Sequence, residues 1–410
     1  MKDIQLYQQI LGLAAPWQVQ EVTLKREAKE IEIRVGCTET VWGCPQCCQR
    51  MQLHAYDERR WRHLDSCQFR TVIVARVPVV KCPEHGAQTV AVPWAEKWGR
   101  FSRLFERLAI DLMQECSIWA ACEILRISWD EADGIKQRAV KRGLARKVKQ
   151  VPQVVCVDEK SAGHGQDYVT VVARLEAGKP ATVDYVGDGR SQASLDRYWQ
   201  QWTRDELVVV EAVGMDMCEA YFQSTMAYVP EAERKIVHDS FHLSWHMNKA
   251  VNEVRKAESR QLLAGGDPTL QGTRNLWLYG WENLPGPLAG RFDELRGLKL
   301  KTGRAWAIKE MWRDLWASFN RQEAQDYFGR WYSWAIRSRL APVKRVARMF
   351  KTHLANILTY FDTFLTNGPI EGLNNKIQGL VKKAFGYRNR ERFKTDILFH
   401  LGGLDLYPTQ

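Results

Sequence analysis

The sequence predicts a multidomain α/β protein, on three observations. Two Cys- and His-bearing knuckles stand near its beginning, serine-capped helical segments follow, and from residue 151 short, continuously apolar runs take over. Its 410 residues suffice for two or three cores, and 45% hydrophobic with 26% charged residues is an ordinary globular composition. Five segments result: a zinc-binding module over 1–98, a helix-turn-helix over 99–150, an α/β core over 151–243 that resumes over 366–410, and an all-helical insertion over 244–365. No apolar run approaches about 18 residues, so no transmembrane helix and no membrane partner is expected. The opening "MKDIQLYQQILGLAAPW" has no sustained apolar stretch, which predicts no secretory signal and a cytoplasmic protein.

The knuckles are "GCPQCCQ" at 43–49 and "KCPEHGA" at 81–87. Each separates two ligands by two residues around a Pro-containing turn, so that both can converge on one tetrahedral ion. Cys44, Cys47, Cys82 and His85 then make a Cys₃His zinc site, and four protein ligands leave no open position for catalysis. The strand-like "FRTVIVARVPVVK" between them would bring the chain back to the site. Free thiols are the alternative, with Cys37 and Cys48 as spare ligands. Five of the ten cysteines crowd into residues 37–67, which in a reducing compartment favours metal over disulfides.

Over 99–150, "SRLFERLAIDLMQEC" has helical apolar spacing, Ser117 caps "IWAACEILRI", and Ser128 with Glu131 makes a capping box ahead of "WDEADGIKQRAVKRG". Two short helices with a tight turn, the second basic, match a helix-turn-helix; an ordinary helical hairpin is the alternative. The net charge of +11 concentrates in two patches. Lys136, Arg138, Lys141, Arg142, Arg146 and Lys147 form the first; Lys376, Lys382, Lys383, Arg388 and Arg390 form the second. Such patches are either solvated faces or a footprint for double-stranded DNA.

From 151, "VPQVVCVDEK", "DYVTVVARLE" and "ATVDYVGD" read as a three-strand meander. A helix ("SQASLDRYWQQW"), a strand ("ELVVVEAVG"), a helix ("MDMCEAYFQSTMAYV") and a closing strand within "AERKIVHDSFHL" follow. That order is the one of a ribonuclease H-like sheet. Residues 244–365 are helical by pattern and rich in tryptophan, most of it core, with one Trp as a candidate for stacking on a displaced base.

Asp158 ends the first strand and Asp216 lies just past the later strand "LVVVEAV", so both fall near one rim of an open sheet. In "TNGPIEGLNNKIQ", a turn at 367–369 opens a helix whose first turn carries one acid, Glu371, among Asn374, Asn375 and Gln378. Three carboxylates at one rim suit two Mg²⁺ ions, with Mn²⁺ as a substitute. An acid favoured merely by the helix dipole, worth about 0.3–1 kcal/mol, is the plain alternative for Glu371. Strand alternation is expected to turn Glu159 away, Glu211 to sit inside its strand, and Asp167, Asp184 and Asp188 to occupy turns or exposed strand positions.

From "CPQC" and "CPEHG", through "VDEKSAGHGQDYVTVV", "VVVEAVGMDMCEAYFQ" and "VHDSFHLSWHMNKAVNEVRK", to "TNGPIEGLNNKIQGLVKKAFGYRNRERFK", the chain resembles the DDE transposases of the ISL-three family of bacterial insertion sequences. The resemblance implies that Asp158, Asp216 and Glu371 are the catalytic triad and that 244–365 is the insertion between its second and third members. It also marks Asp239 and His242 as accessory residues near the active site; a polar pair satisfying itself at a strand-to-helix junction is the alternative. "KSAGHG", beginning at Lys160, replaces a more basic segment of the family. The implied activity is Mg²⁺-dependent cleavage at terminal inverted repeats and transfer of the freed 3′-OH into target DNA, by a homodimer or higher homo-oligomer. A non-enzymatic DNA-binding regulator (a domesticated transposase) and a structure-specific nuclease are the rival readings.

Overall fold

The computed structural model describes residues 3–163, 167–366 and 368–409, and the chain divides into two units, Met1–Val148 with Leu404–Gln410, and Lys149–Gly403. The sequence boundaries at 243/244 and 365/366 both lie inside the second unit. Asn367 and 164–166 lie outside the described residues, and with them parts of the expected turn at 367–369 and of "KSAGHG".

In the first unit, helix α1 (Asp3–Ile10) precedes strands β1 (Trp17–Lys25), β2 (Glu30–Cys37), β3 (Val41–Gly43), β4 (Arg50–Ser66), β5 (Phe69–Cys82) and β6 (Gly86–Thr89). The sheet order is β1-β2-β5-β4-β3, with β6 on β5. Alternating apolar residues of β1, β2, β4 and β5 bury Trp17, Ile33, Trp61 and Ile73 in one core. Helices α2 (Arg103–Glu115), α3 (Ile118–Leu125) and α4 (Trp129–Arg146) follow. The serines start all three: Ser102, Ser117 and Ser128 accept from backbone N–H groups three residues on, and Ser128 with Glu131 forms the full capping box. Arg126, at φ +56°, ends α3 in the left-handed region. The tail 404–410 belongs to this unit, not to the α/β core, and it crosses α4 at Gly143, where an added Cβ would lie 2.7 Å from Leu404 Cβ.

The second unit opens with the expected meander, β7 (Val154–Ser161), β8 (Tyr168–Leu175) and β9 (Thr182–Asp188). After α5 (Gln192–Trp199) come β10 (Ala212–Met215), α6 (Glu219–Tyr228), α7 (Ala232–Lys235) and β11 (Ile236–His238). The order is β11-β10-β7-β8-β9, antiparallel within the meander and parallel across β7, β10 and β11. The run "ELVVVEAVG" is not one strand. Thr203 and Glu206 form a reciprocal cap that starts a 3₁₀ turn over Glu206–Val209, leaving Val208 and Val209 exposed. Glu211 accordingly precedes β10 at the end away from Asp216, where Gln153 Nε2 donates to it at 3.1 Å.

Helices α8 (Ser240–Ala264), α9 (Arg274–Leu278), α10 (Gly286–Gly297), α11 (Lys301–Arg313), α12 (Arg321–Arg337), α13 (Ala341–Thr352), α14 (Leu354–Leu358) and α15 (Tyr360–Thr363) follow, and no strand occurs after β11 among the described residues. α8 begins before 244, so the helical stretch grows directly out of the β11 end. Trp277, Trp306, Trp312 and Trp331 are buried in its core, whereas Trp245, Trp281 and Trp334 are exposed. Finally α16 (Gly368–Lys383) and α17 (Arg390–Leu401) return to the sheet. One face of β7 sends Val155 and Val157 toward α5 and α6; the other sends Cys156 toward Ile370, Leu373 and Ile377 of α16. Among the described residues, no helix is long and apolar enough to cross a membrane.

Candidate active site and metal centre

The register of three parallel strands builds the site. Gly214 of β10 pairs with Cys156 of β7, and two residues further along each strand stand Asp216 and Asp158. Met215 pairs with His238 of β11, and Asp239 is the next residue. Asp216 and Asp239 thus follow the carboxyl ends of β10 and β11, where open α/β sheets form their crevices, and Asp158 stands beside them within β7, which runs on to Ser161 rather than ending at the acid as expected. Helix α16 supplies the fourth carboxyl group. Ile370, Leu373 and Ile377, spaced three and four apart, bury its inner face, which sets Glu371 at the crevice edge. Asp158, Glu159, Lys160, Asp216, Asp239, His242, Glu371 and Asn374 line one open cavity of about 300 Å³.

Asp158 is held from three sides. Its Oδ1 accepts the Glu159 N–H at 2.8 Å, and its Oδ2 accepts Asn374 Nδ2 at 2.6 Å and faces Lys160 Nζ at 2.8 Å. Burial raises the Asp216 carboxyl above its ordinary value, His242 and the Cys218 N–H pull it down, and Asp158 and Asp239 push it up again. Asp239 caps α8 by accepting the Phe241 N–H at 2.8 Å, and His242 Nε2 lies 3.7 Å from its other oxygen. The two side chains stand close together at the strand-to-helix junction, and both line the cavity.

Glu159 does point to the opposite face of β7, yet it is not remote. Burial raises its carboxyl, followed by Asp216 and Asp158, and its Oε2 is buried without a hydrogen-bond partner. Neither this residue nor Asn374 and Lys160 were singled out as partners of Asp158 from sequence. Asn374 lies one turn beyond Glu371 on the same helical face, but its contact with Asp158 joins positions 216 apart. Asp184 is not at an exposed position: Arg174 pairs with it at 3.2 Å and Tyr198 donates to it at 2.9 Å. Asp167 and Asp188 both pair with Arg390.

Asp158, Asp216 and Glu371 offer oxygen ligands alone, and beside them Glu159 Oε2 is buried without a hydrogen-bond partner, so the residues fit a hard divalent cation. The acids are spread more widely than the zinc ligands, for the described residues hold one group of metal-binding side chains whose ligand atoms all lie within 4.8 Å of one another, Cys44, Cys47, Cys82 and His85. That group sits where two hairpins meet, at the β3–β4 and β5–β6 turns. Cys47 and Cys82 sulfurs are 3.7 Å apart, and His85 Nδ1 is 3.4 Å from Cys82 and 3.9 Å from Cys44. Zn–S bonds of about 2.3 Å in a tetrahedron put ligand atoms about 3.7 Å apart, so the residues fit zinc. Backbone N–H groups of Cys47 and Gln46 lower the Cys44 thiol to about 7, toward the thiolate a metal needs. Cys37 and Cys48 stay outside the group.

The first basic patch is largely drawn inward. Lys136 is buried. Glu106, itself buried, accepts from Arg138 Nε at 3.1 Å and Arg142 Nη2 at 3.0 Å; Glu96 accepts twice more from Arg142 at 2.8 Å. Arg146 donates to Asp405 and to the Tyr407 carbonyl at 2.6 Å. These arginines tie α4 to α2 and the tail, while Lys141 is exposed and Lys147 half-buried. In the second patch Lys376, Lys382, Lys383 and Arg388 are exposed, whereas Arg390 is paired with Asp167.

Comparison with known proteins agrees along the chain. A family profile described as a transposase of the ISL3 type matches residues 155–397. The zinc-finger of transposases IS204/IS1001/IS1096/IS1165 matches 40–85, and the helix-turn-helix domain of transposase family ISL3 matches 90–140. The transposase for insertion sequence element IS1001 of Bordetella parapertussis is 26% identical over 373 residues, covering 89% of this chain and 90% of that protein. The transposase for insertion sequence element IS1557 of Mycobacterium tuberculosis is 24% identical, covering 98% of this chain and 96% of that protein.

Proposed function

The chain belongs to the ISL3 family of transposases, and on that premise we propose that it cuts DNA at the ends of an insertion sequence and joins the freed 3′-OH to target DNA. The observation that carries the proposal is the register that sets Asp158 and Asp216 side by side, with Glu371 lining the same cavity from α16. The α/β unit with its helical stretch is read as a ribonuclease H-like core with an insertion. Asp158, Asp216 and Glu371 would hold Mg²⁺, and Cys44, Cys47, Cys82 and His85 a structural zinc. Bound by the carboxylates, Mg²⁺ supplies activation of the attacking oxygen and stabilisation of the leaving one.

The protein's own groups do the rest. Asn374 and the Glu159 N–H fix the rotamer of Asp158, so its oxygens need no reorganisation when the cavity fills. Lys160 neutralises Asp158 in the unbound state and is placed to move onto a phosphate oxygen when that charge is taken up elsewhere. His242, oriented by Asp239, borders the same space and can donate to the scissile phosphate. The exposed Lys376, Lys382 and Arg388 would follow the DNA backbone, and the capped helices of the first unit would read the terminal inverted repeats, with a dimer holding two ends.

The test is a strand-transfer assay with a labelled duplex carrying the element's own end, a plasmid target, and Mg²⁺ or EDTA, with Glu371→Gln in parallel. The expected result is a Mg²⁺-dependent joined product that disappears in the variant while end binding persists. Cleavage without joining would identify a nuclease. Binding without cleavage in either protein would identify a regulator.

A further inference from the structure

Helix α8 carries an aromatic ridge out of the acid cavity. Phe241, in its first turn, lines the cavity and is 64% exposed; Trp245, four residues on, is 49% exposed. Lys249, four further, holds its ammonium 5.2 Å from the centre of the Trp245 ring. This spacing keeps all three on one face, and the exposed Lys256 and Arg260 carry that side of the helix onward. The opposite face already anchors α8 through Leu243, Met247, Ala250, Val251 and Val254, so the core makes no use of either ring.

Large rings left in water, beside cations and at the mouth of a phosphodiester-processing cavity, suit a partner that is anionic and presents flat π faces. An apolar protein surface or a lipid would not call for the ammonium over the ring. Phe241 and Trp245 are about 6 Å apart along the helix axis, wider than the roughly 3.4 Å rise of stacked bases in a duplex. Two successive bases reaching both rings must therefore be unstacked. Resting on the strand-transfer reading above, we infer that Phe241 and Trp245 are a stacking platform for unpaired nucleotides flanking the scissile phosphate, with Lys249 and Lys256 on their backbone.

The test uses the full chain and element-end duplexes with 2-aminopurine at either of the two nucleotides flanking the cut, in buffer with Ca²⁺ in place of Mg²⁺ and no chelator, so that the zinc module stays loaded. Fluorescence should change on binding to wild type and Phe241→Trp, and not with Phe241→Ala or Trp245→Ala. Affinity for an end with an unpaired flank should fall about 5- to 150-fold in each alanine variant, the range carried by one base–aromatic stack. Binding to a fully paired internal duplex should stay within twofold. Both residues are exposed, so the variants should melt as wild type does. If the alanine variants bind, cut and join like wild type, the platform falls and the strand-transfer reading stands. If they instead lose self-association, the ridge is covered by a second copy and the platform is overturned. A wild type that neither binds nor cuts its own ends overturns both readings.

Discussion

Replacing Glu106 with alanine tests how α4 uses its arginines. Glu106 is 1% exposed and accepts from Arg138 and Arg142 at once. Removing the acid from such a buried set leaves cationic groups without their counter-charge, at a cost of about 3–5 kcal/mol. Two features place this case at the lower end. Arg142 keeps both bonds to Glu96, and the Arg138 side chain, 37% exposed, can rehydrate. A loss of about 3 kcal/mol lowers the melting temperature of a unit this size by roughly 6–12 °C. Arg138→Ala should cost no more than about 1 kcal/mol, because Arg142 still compensates Glu106. The assay is a thermal melt with hydrogen exchange followed on α2 and α4 peptides, paired with the salt dependence of end binding. Lys141→Ala should reduce the log–log salt slope by about 1, and Arg138→Ala should leave it alone. The reasoning is refuted if Glu106→Ala melts like wild type while Arg138→Ala reduces the slope, for the guanidinium would then face DNA.

Three further predictions follow from the two sites and one buried histidine. Cys82→Ser should purify with less than one zinc by atomic absorption and with a lowered melting temperature; full zinc content and an unchanged melt would remove Cys82 from the ligand set. Glu159→Gln should stabilise the protein in EDTA at pH 8 but not at pH 4. The raised carboxyl favours the protonated form in the fold, so stability falls as pH rises through the folded value, and a pH-independent difference in melting temperature would sink the idea. His63, pushed down to about 4 by burial and then by Arg62, lies 2.7 Å from the Ser102 hydroxyl that caps α2. Its folded value is depressed, so its contribution is present above about 6.5 and is lost as pH falls toward 4, about 3 kcal/mol in all. A His63→Gln variant whose melting temperature follows pH as steeply as wild type between 6.5 and 4 would contradict this.

Features whose causes are local were legible in the sequence. Ser117 and the Ser128–Glu131 box announced their helices because a cap is a matter of three or four residues. The Cys₃His group was legible because each knuckle fixes two of its four members by its own turn, leaving only the return of β5 to be assumed. The strand misread over 206–210 failed on the same scale: Thr203 and Glu206 carried a capping signal, and β-branched composition obscured it. The pairing of Arg138 and Arg142 with acids was hidden for a different reason. Their spacing on α4 was correct, but whether a basic row meets water or a buried acid depends on Glu106 and Glu96, 32 and 46 residues away.

The acid site divides along the same line. That Asp158 and Asp216 lie side by side follows from parallel apolar strands each running into an acid, a pattern a sequence can carry. That Asn374 bonds Asp158 across 216 positions cannot be read from either neighbourhood alone. It requires the even face of β7 to be the face that α16 covers, which the burial of Cys156 with Ile370 and Leu373 decides. The same choice leaves Glu159 on the other face, raised and with one oxygen unpartnered, close enough to Asp216 to feel its charge. Alternation thus separates the two side chains by face without separating them electrostatically. The strand that presents Asp158 to α16 also backs the cavity with a second acid, and two carboxyl groups so placed are the oxygen ligands a hard divalent cation accepts.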